Sequence, residues 1–200
     1  MPTKTEEIAN KDPMLNLNKP FEEAFKPLPT YQAWKKIGFT PRFGVLIPLA
    51  SIRSRHNFGV GEFGDITIFK EFCKSIGSTI IQLLPLNDMG RSKVPYSSIS
   101  AFALDPVYIS LKDIDEFKYP SDDLKHYLEE NWHIIEEEKN SKYINYEKIR
   151  IFKFGALFKL FWDFVNRNSY NGSHRWHQFQ SFIRNNEYWL EDYAVFRTLK

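Results

Sequence analysis

Two short, nearly continuous apolar runs, residues 45–50 (VLIPLA) and 79–86 (TIIQLLPL), flank a segment in which Ile66, Phe69, Phe72, Cys73 and Ile76 recur at three-to-four spacing. Short apolar runs without strict alternation suit parallel strands covered on both faces, and the spacing between them suits an amphipathic helix. Asp65 is placed to cap that helix and Gly77 to stop it. One strand–helix–strand unit is the expected result, and chemistry in such units gathers in the loops after the strands.

The loop after the second run contains Val94-Pro95-Tyr96-Ser97-Ser98-Ile99-Ser100-Ala101-Phe102-Ala103-Leu104-Asp105-Pro106, on the expected working face. Asp105 before Pro106 predicts a turn, and Val107 to Leu111 alternates as a short strand would. From Lys112 the pattern turns helical. A helix is expected from Ser121 to Glu138, with Leu124, Tyr127, Leu128 and Trp132 inward and an acidic solvated face. A second runs from about Tyr146 to Val165 with Ile149, Phe152, Leu157, Leu160, Phe161 and Phe164 on one stripe. Two more cover about Ser173 to Asn185 and Tyr188 to Leu199. Residues 1–40 lack periodicity and carry five prolines, which predicts a mobile tail and then an aromatic segment packed on the body.

Composition narrows the class. The chain has 27 basic and 25 acidic residues, a balance of +2 that gives no reason to expect nucleic acid or an anionic membrane as partner. No apolar run approaches the roughly 20 residues that span a bilayer. A single cysteine, Cys73, excludes an internal disulfide and a cysteine metal site, and with no apolar signal core near Met1 the expected setting is cytoplasmic. Nothing in the pattern sets an oligomeric state.

Four motifs carry candidate chemistry. Gly59-Val60-Gly61-Glu62-Phe63-Gly64 matches G-x-G-x-x-G, the mark of a dinucleotide site, but eight residues, Ser51 to Phe58, separate it from the strand. A pyrophosphate cradle needs the strand to run almost directly into the first glycine, so a plain strand-to-helix turn is the competing reading. His174 and His177 stand three apart on one helix, without a carboxylate or cysteine placed beside them. Asn87 and Asp88 follow the second strand, where polar side chains meet a ligand or simply form a turn. Tyr96, fixed by Pro95, offers a flat ring and a hydroxyl, the pairing a sugar site uses; a tyrosine packed under its loop is the alternative.

The ordered set Gly59-Val60-Gly61, Gln82-Leu83-Leu84-Pro85-Leu86, Pro95-Tyr96-Ser97, Ser100-Ala101-Phe102-Ala103 and Pro106-Val107-Tyr108-Ile109-Ser110-Leu111 resembles the 4-α-glucanotransferases, also called amylomaltases or disproportionating enzymes. The likeness resumes at Ile144-Asn145-Tyr146, Lys153-Phe154 and Trp189-Leu190-Glu191-Asp192-Tyr193-Ala194-Val195-Phe196, so it covers about residues 40 to 200. It implies an α/β fold, the N-terminal part of a (β/α)8 TIM barrel with an inserted helical subdomain. Residues 1–40 would be an extension, 41–111 the first barrel strands with the substrate loop, and 112–200 the helical insertion.

The implied reaction moves α-1,4-glucan segments, with retention, to an acceptor sugar. Retention needs two carboxyl groups about 5–5.5 Å apart, one attacking and one acting as acid and then base, with no cofactor and no metal. The implied partner is an α-1,4-glucan or maltooligosaccharide. By resemblance Tyr96 sits at the donor side of the cut bond; Ser97 beside it, and Asn87 and Asp88 at the end of the second strand, are the further candidate substrate contacts. Where relatives often carry a serine two places before the tyrosine, this chain has Val94, which donates no hydrogen bond. The resemblance places the family's catalytic acids on later barrel strands, beyond Lys200; as substitutes within the chain, Asp65 reads as a cap, Asp105 as a turn residue, Glu62 as part of the glycine loop and Asp88 as a single carboxylate at the mouth. The chain alone is therefore expected to be inactive. The alternative is a noncatalytic carbohydrate-binding or interaction module derived from such an enzyme.

Overall fold

A computed structural model describes residues 21–199, so the first part of the expected N-terminal tail lies outside the described residues. Residues 21–25 are helical and lead to helix α1, Tyr31–Ile37, which buries no side chain of its own. Its aromatic residues meet their neighbours instead, with Phe25 4.9 Å from Trp34 and Tyr31 5.9 Å from Phe39 between ring centroids.

Strands β1 (Gly44–Ile47) and β2 (Ile80–Leu83) pair in parallel, Gly44 opposite Ile80 and Ile47 opposite Leu83. Both are shorter than the apolar runs that predict them. Pro48 and Pro85 stand just past the paired residues, and a proline has no N–H for a ladder. After Pro48 the chain tightens into a 3-10 turn, Leu49–Ser51, that turns Leu49 and Ala50 inward. The described residues cover only one face of the pair: Leu46 is 58% and Ile80 45% exposed, against the expectation of cover on both faces.

Helix α2, Phe63–Ser75, joins the strands. Its N-cap is Glu62, not Asp65; Asp65 sits at the third helical position and its Oδ2 accepts the Glu62 N–H at 2.7 Å. The expected strand over Val107 to Leu111 is absent. Two 3-10 turns, Pro106–Tyr108 and Leu111–Asp113, replace it, because Asp105 caps the first through the Val107 N–H and Pro106 fits its first position. Val107, Tyr108 and Leu111 are all buried, a spacing that turns rather than alternates.

The remainder is helical: α3 (Asp115–Lys118), α4 (Asp122–Asn140), α5 (Tyr146–Asn168), α6 (His174–Asn185) and α7 (Glu187–Leu199). Ser121, Asn145 and Ser173 cap α4, α5 and α6 by accepting the N–H groups of Leu124, Lys148 and Trp176. The fold is thus α/β, mostly helical with a small parallel sheet.

Helix α5 organises the interior because its buried positions Ile149, Phe152, Lys153, Ala156 and Leu160 keep helical spacing. Ile149 joins an apolar cluster with Leu49, Val60, Met89 and Val107, and Phe152, Ala156 and Leu160 join a second with Phe58, Leu124 and Ile135. Each such large side chain contributes on the order of 1.5–3 kcal/mol on burial. Between the clusters lies Lys153, 0% exposed, with its Nζ 2.7 Å from both Glu62 Oε1 and Val107 O. Burial pushes the Glu62 carboxyl up and the Lys153 ammonium down from their ordinary values, against the attraction between them. This pair ties the start of α2 to α5 and to the first 3-10 turn.

Candidate functional site

The loop after β2 leaves and returns through one narrow base. Asn87 and Leu104 form an antiparallel bridge, the Asp88 N–H donates to Ala103 O at 2.9 Å, and the Asp105 N–H donates to Leu86 O at 2.9 Å. The Asn87 amide reaches across to Ala101 O at 3.0 Å, and the Ile99 N–H to Asp88 O at 2.8 Å. Polar backbone in a loop must find partners, and here the two legs supply them for each other.

Two buried carboxylates then fasten this base to separate helices. Asp105, 0% exposed, accepts from Met89 N and Val107 N and from Arg150 Nη2 of α5 at 2.6 Å. Burial pushes its carboxyl up, opposed by the Val107 N–H and by Arg150. Asp88, 1% exposed, accepts from Gly90 N at 2.8 Å and from the Tyr193 hydroxyl of α7 at 2.5 Å, with Arg197 Nε 3.4 Å away. Phe102 adds an aromatic contact, its ring stacked 5.7 Å from Trp189 of α7.

The tip is different. Tyr96 is 72% exposed, and Val94 and Ser97 are exposed beside it. The polar contacts there are local turns, Ser97 N to Val94 O at 2.9 Å and Val94 N to Ser92 Oγ at 3.1 Å. The four sequence-derived candidates therefore separate into two pairs, Asn87 and Asp88 at the base and Tyr96 and Ser97 at the tip. Asp88, expected at the mouth, is turned inward to hold α7. Arg150, Tyr193 and Arg197, which position the loop, are not among the candidates that the sequence suggests. Tyr193 and Arg197 stand four apart on one helix and so share a face, but nothing local in the sequence links that face to Asp88.

The glycine hexapeptide is not a phosphate cradle. A side-chain carbon at Gly61 would lie 1.9 Å from Leu49 O, so the glycine is there to let the loop press against the turn after β1. Four amides in and beside the loop are already engaged: Phe58 N with Glu62 Oε1, Gly61 N with Ala50 O, Glu62 N with Asp65 Oδ2 and Gly64 N with Ser110 Oγ. A dinucleotide would find no free donors on them. Asp65 also accepts from Asn57 Nδ2 at 2.9 Å. Glu62, Asp65, Asp88 and Asp105 are all buried against partners. Among the described residues there is no group of three or more His, Cys, Asp or Glu that could hold a metal, and no helix is long and apolar enough to cross a membrane.

A family model described as 4-alpha-glucanotransferase matches residues 47–200. A 4-alpha-glucanotransferase of Chlamydia caviae is 32% identical over 189 residues, 90% of this chain and 33% of its own length. The rice protein 4-alpha-glucanotransferase DPE2 is 32% identical over 78% of this chain and 16% of its own length, and a 4-alpha-glucanotransferase of Thermus thermophilus is 30% identical over 79% and 28% respectively. The chain thus spans about a third, or less, of the length of the curated relatives it matches.

Proposed function

The chain belongs to the 4-alpha-glucanotransferase family, and from that premise we propose that it serves an enzyme moving α-1,4-glucan segments to glucose or a maltooligosaccharide by retaining double displacement. Family membership implies a TIM-barrel-type enzyme. We take β1, α2 and β2 as the start of that barrel, residues 41–111, with 112–200 as its helical insertion and 1–40 as an extension. The setting is cytoplasmic in this reading, in keeping with the single buried cysteine, Cys73.

The chain's part is the donor-side rim. The observation that carries this is the Tyr96 ring, 72% exposed at the tip of a loop whose base is fastened to α5 and α7. A fixed, exposed ring can stack on a pyranose face while its hydroxyl and the neighbouring Ser97 take sugar hydroxyls. Asn87 and Asp88 serve the same substrate from below, by holding the strand end that aims the tip. Double displacement needs two facing carboxyl groups. Glu62, Asp65, Asp88 and Asp105 are buried and engaged, so the proposal assigns the nucleophile and the acid/base to none of them.

Two measurements on the purified 200-residue chain test the reading. Titration calorimetry with maltoheptaose should give binding that Tyr96→Ala weakens by about tenfold, the order of one stacked ring. Incubation with maltotriose should give no redistribution of chain lengths. Transfer by this chain alone, or glucan binding indifferent to Tyr96→Ala, would overturn it.

A further inference from the structure

A cleft of about 730 Å³ opens between the start of the loop after β2 and the first turns of α5. Four cations line it, Arg91, Lys93, Arg150 and Arg197, with Glu147 as the only carboxylate among the lining residues and Tyr146 and Phe154 as aromatic walls. We propose that this cleft is a binding site for the phosphate group of a small phosphorylated metabolite.

Two of these charges lack the acidic partner that several surface lysines have. Lys118, Lys125, Lys148 and Lys159 each reach an acidic side chain within 2.7–2.8 Å. Arg91 and Lys93 pair with no carboxylate of the described residues, although both face the cleft. Arg150 and Arg197 are held from behind by Asp105 and Asp88, carboxylates that are 0% and 1% exposed. Those contacts fix the guanidinium planes without using all their donors. Arg150 makes its hydrogen bond through Nη2, and its Nε is buried without a partner. The Arg197 guanidinium lies 5.5 Å over the Phe154 ring, which sets its orientation further.

Prepositioned guanidiniums and a mobile ammonium beside them form the usual grip on phosphate oxygens. The cleft also receives Tyr146 and Glu147 from the N-terminal turn of the 23-residue helix α5, where the helix dipole favours an anion. A neutral sugar would cover Arg91 and Lys93 without compensating them, which costs free energy. Its volume lies in the range of small-molecule sites, leaving room for a sugar or nucleoside against Tyr146 and Phe154.

The cleft shares the loop after β2 with the rim assigned to glucan, but Tyr96 and Ser97 are not among its lining residues, so the two readings are tested by different side chains. Titration calorimetry of the full chain with inorganic phosphate, glucose 6-phosphate and adenosine 5′-monophosphate, and with glucose as the neutral control, tests it. At least one phosphate probe should bind at sub-millimolar Kd and glucose should not. Which probe is tightest tells free phosphate, sugar phosphate and nucleotide apart. The double variant Arg91→Glu/Lys93→Glu, altered only at exposed positions, should keep the far-ultraviolet circular dichroism and lose about tenfold or more in affinity. Arg150→Lys should keep its charge toward Asp105 and still weaken binding, because an ammonium does not reproduce the fork. Tyr96→Ala should leave phosphate binding unchanged. Absence of binding by all three probes at millimolar concentration, equal affinity in the double variant, or glucose binding as tightly as glucose 6-phosphate would overturn the proposal.

Discussion

At the base of the loop after β2, Asp88 and Asp105 are 1% and 0% exposed and each grips a residue of a distant helix, Tyr193 and Arg150. At its tip, Tyr96 is 72% exposed and the neighbouring backbone bonds only within its own turns. The same short stretch of chain thus contains some of the most confined polar groups of the molecule and one of its most accessible rings. If Tyr96 stacks on a sugar as proposed, the face that meets the sugar must stay open, and its aim has to come from below. The difference teaches that substitutions at the base should act through folding, and those at the tip through binding.

The strongest test of the base is Asp105→Ala. It leaves Arg150 as an unpaired charge and strips acceptors from Met89 N and Val107 N, so a loss of about 3–5 kcal/mol is expected in denaturant unfolding. A loss below about 1 kcal/mol would mean that the base is not held by this carboxylate.

The second anchor is weaker. Tyr193→Phe removes one hydrogen bond to Asp88 and should cost about 1–2 kcal/mol. It also carries a pH signature. Burial, and then the bond to Asp88, push the Tyr193 hydroxyl above its ordinary value of 10.0. A group raised in the fold stabilises below its unfolded value and loses that contribution as pH climbs past it. The parent chain should therefore lose stability on going above pH 10.0, and Tyr193→Phe should lose less over the same range. Equal slopes for the two proteins would remove Tyr193 from the account.

Gly90 lies where the base gives way to the tip. Its φ is +58°, and an added side-chain carbon would lie 3.3 Å from Ile99. Gly90→Ala should cost about 1 kcal/mol, read as a lowered midpoint of thermal unfolding. Smallest of all, Tyr96→Ala should change stability by less than about 0.5 kcal/mol, while its effect appears in maltoheptaose titration. A large stability loss there would show that the ring is part of the packing after all.

Much of the fold is legible in the chain itself. The two strands, the helix between them and the long helices from Ser121 onward follow from apolar spacing, with a legible cap at Ser121. The segment after Pro106 is not. Val107, Ile109 and Leu111 alternate as a strand would, but no strand among the described residues pairs with them, and the cap offered by Asp105 coils the chain into turns. The glycine hexapeptide shows the same limit from the other side. Its letters fit a nucleotide site, while its spacing from the strand and the contact of Gly61 with Leu49 O make it a packing element.

Sequence by itself determined the two paired strands and the long helices, which ring would head the loop and, through an ordered run of motifs, the family. Those are local or linear properties, written in side-chain period, capping chemistry and residue order. Tertiary structure alone decided what Asp88 and Asp105 do. Asp88 reads as a carboxylate at the mouth and Asp105 as a turn residue, and both are drawn inward by partners 105 and 45 positions along the chain. Whether a charge is a contact for solvent or a buried anchor depends on what folds against it, and chain order carries no record of that distance.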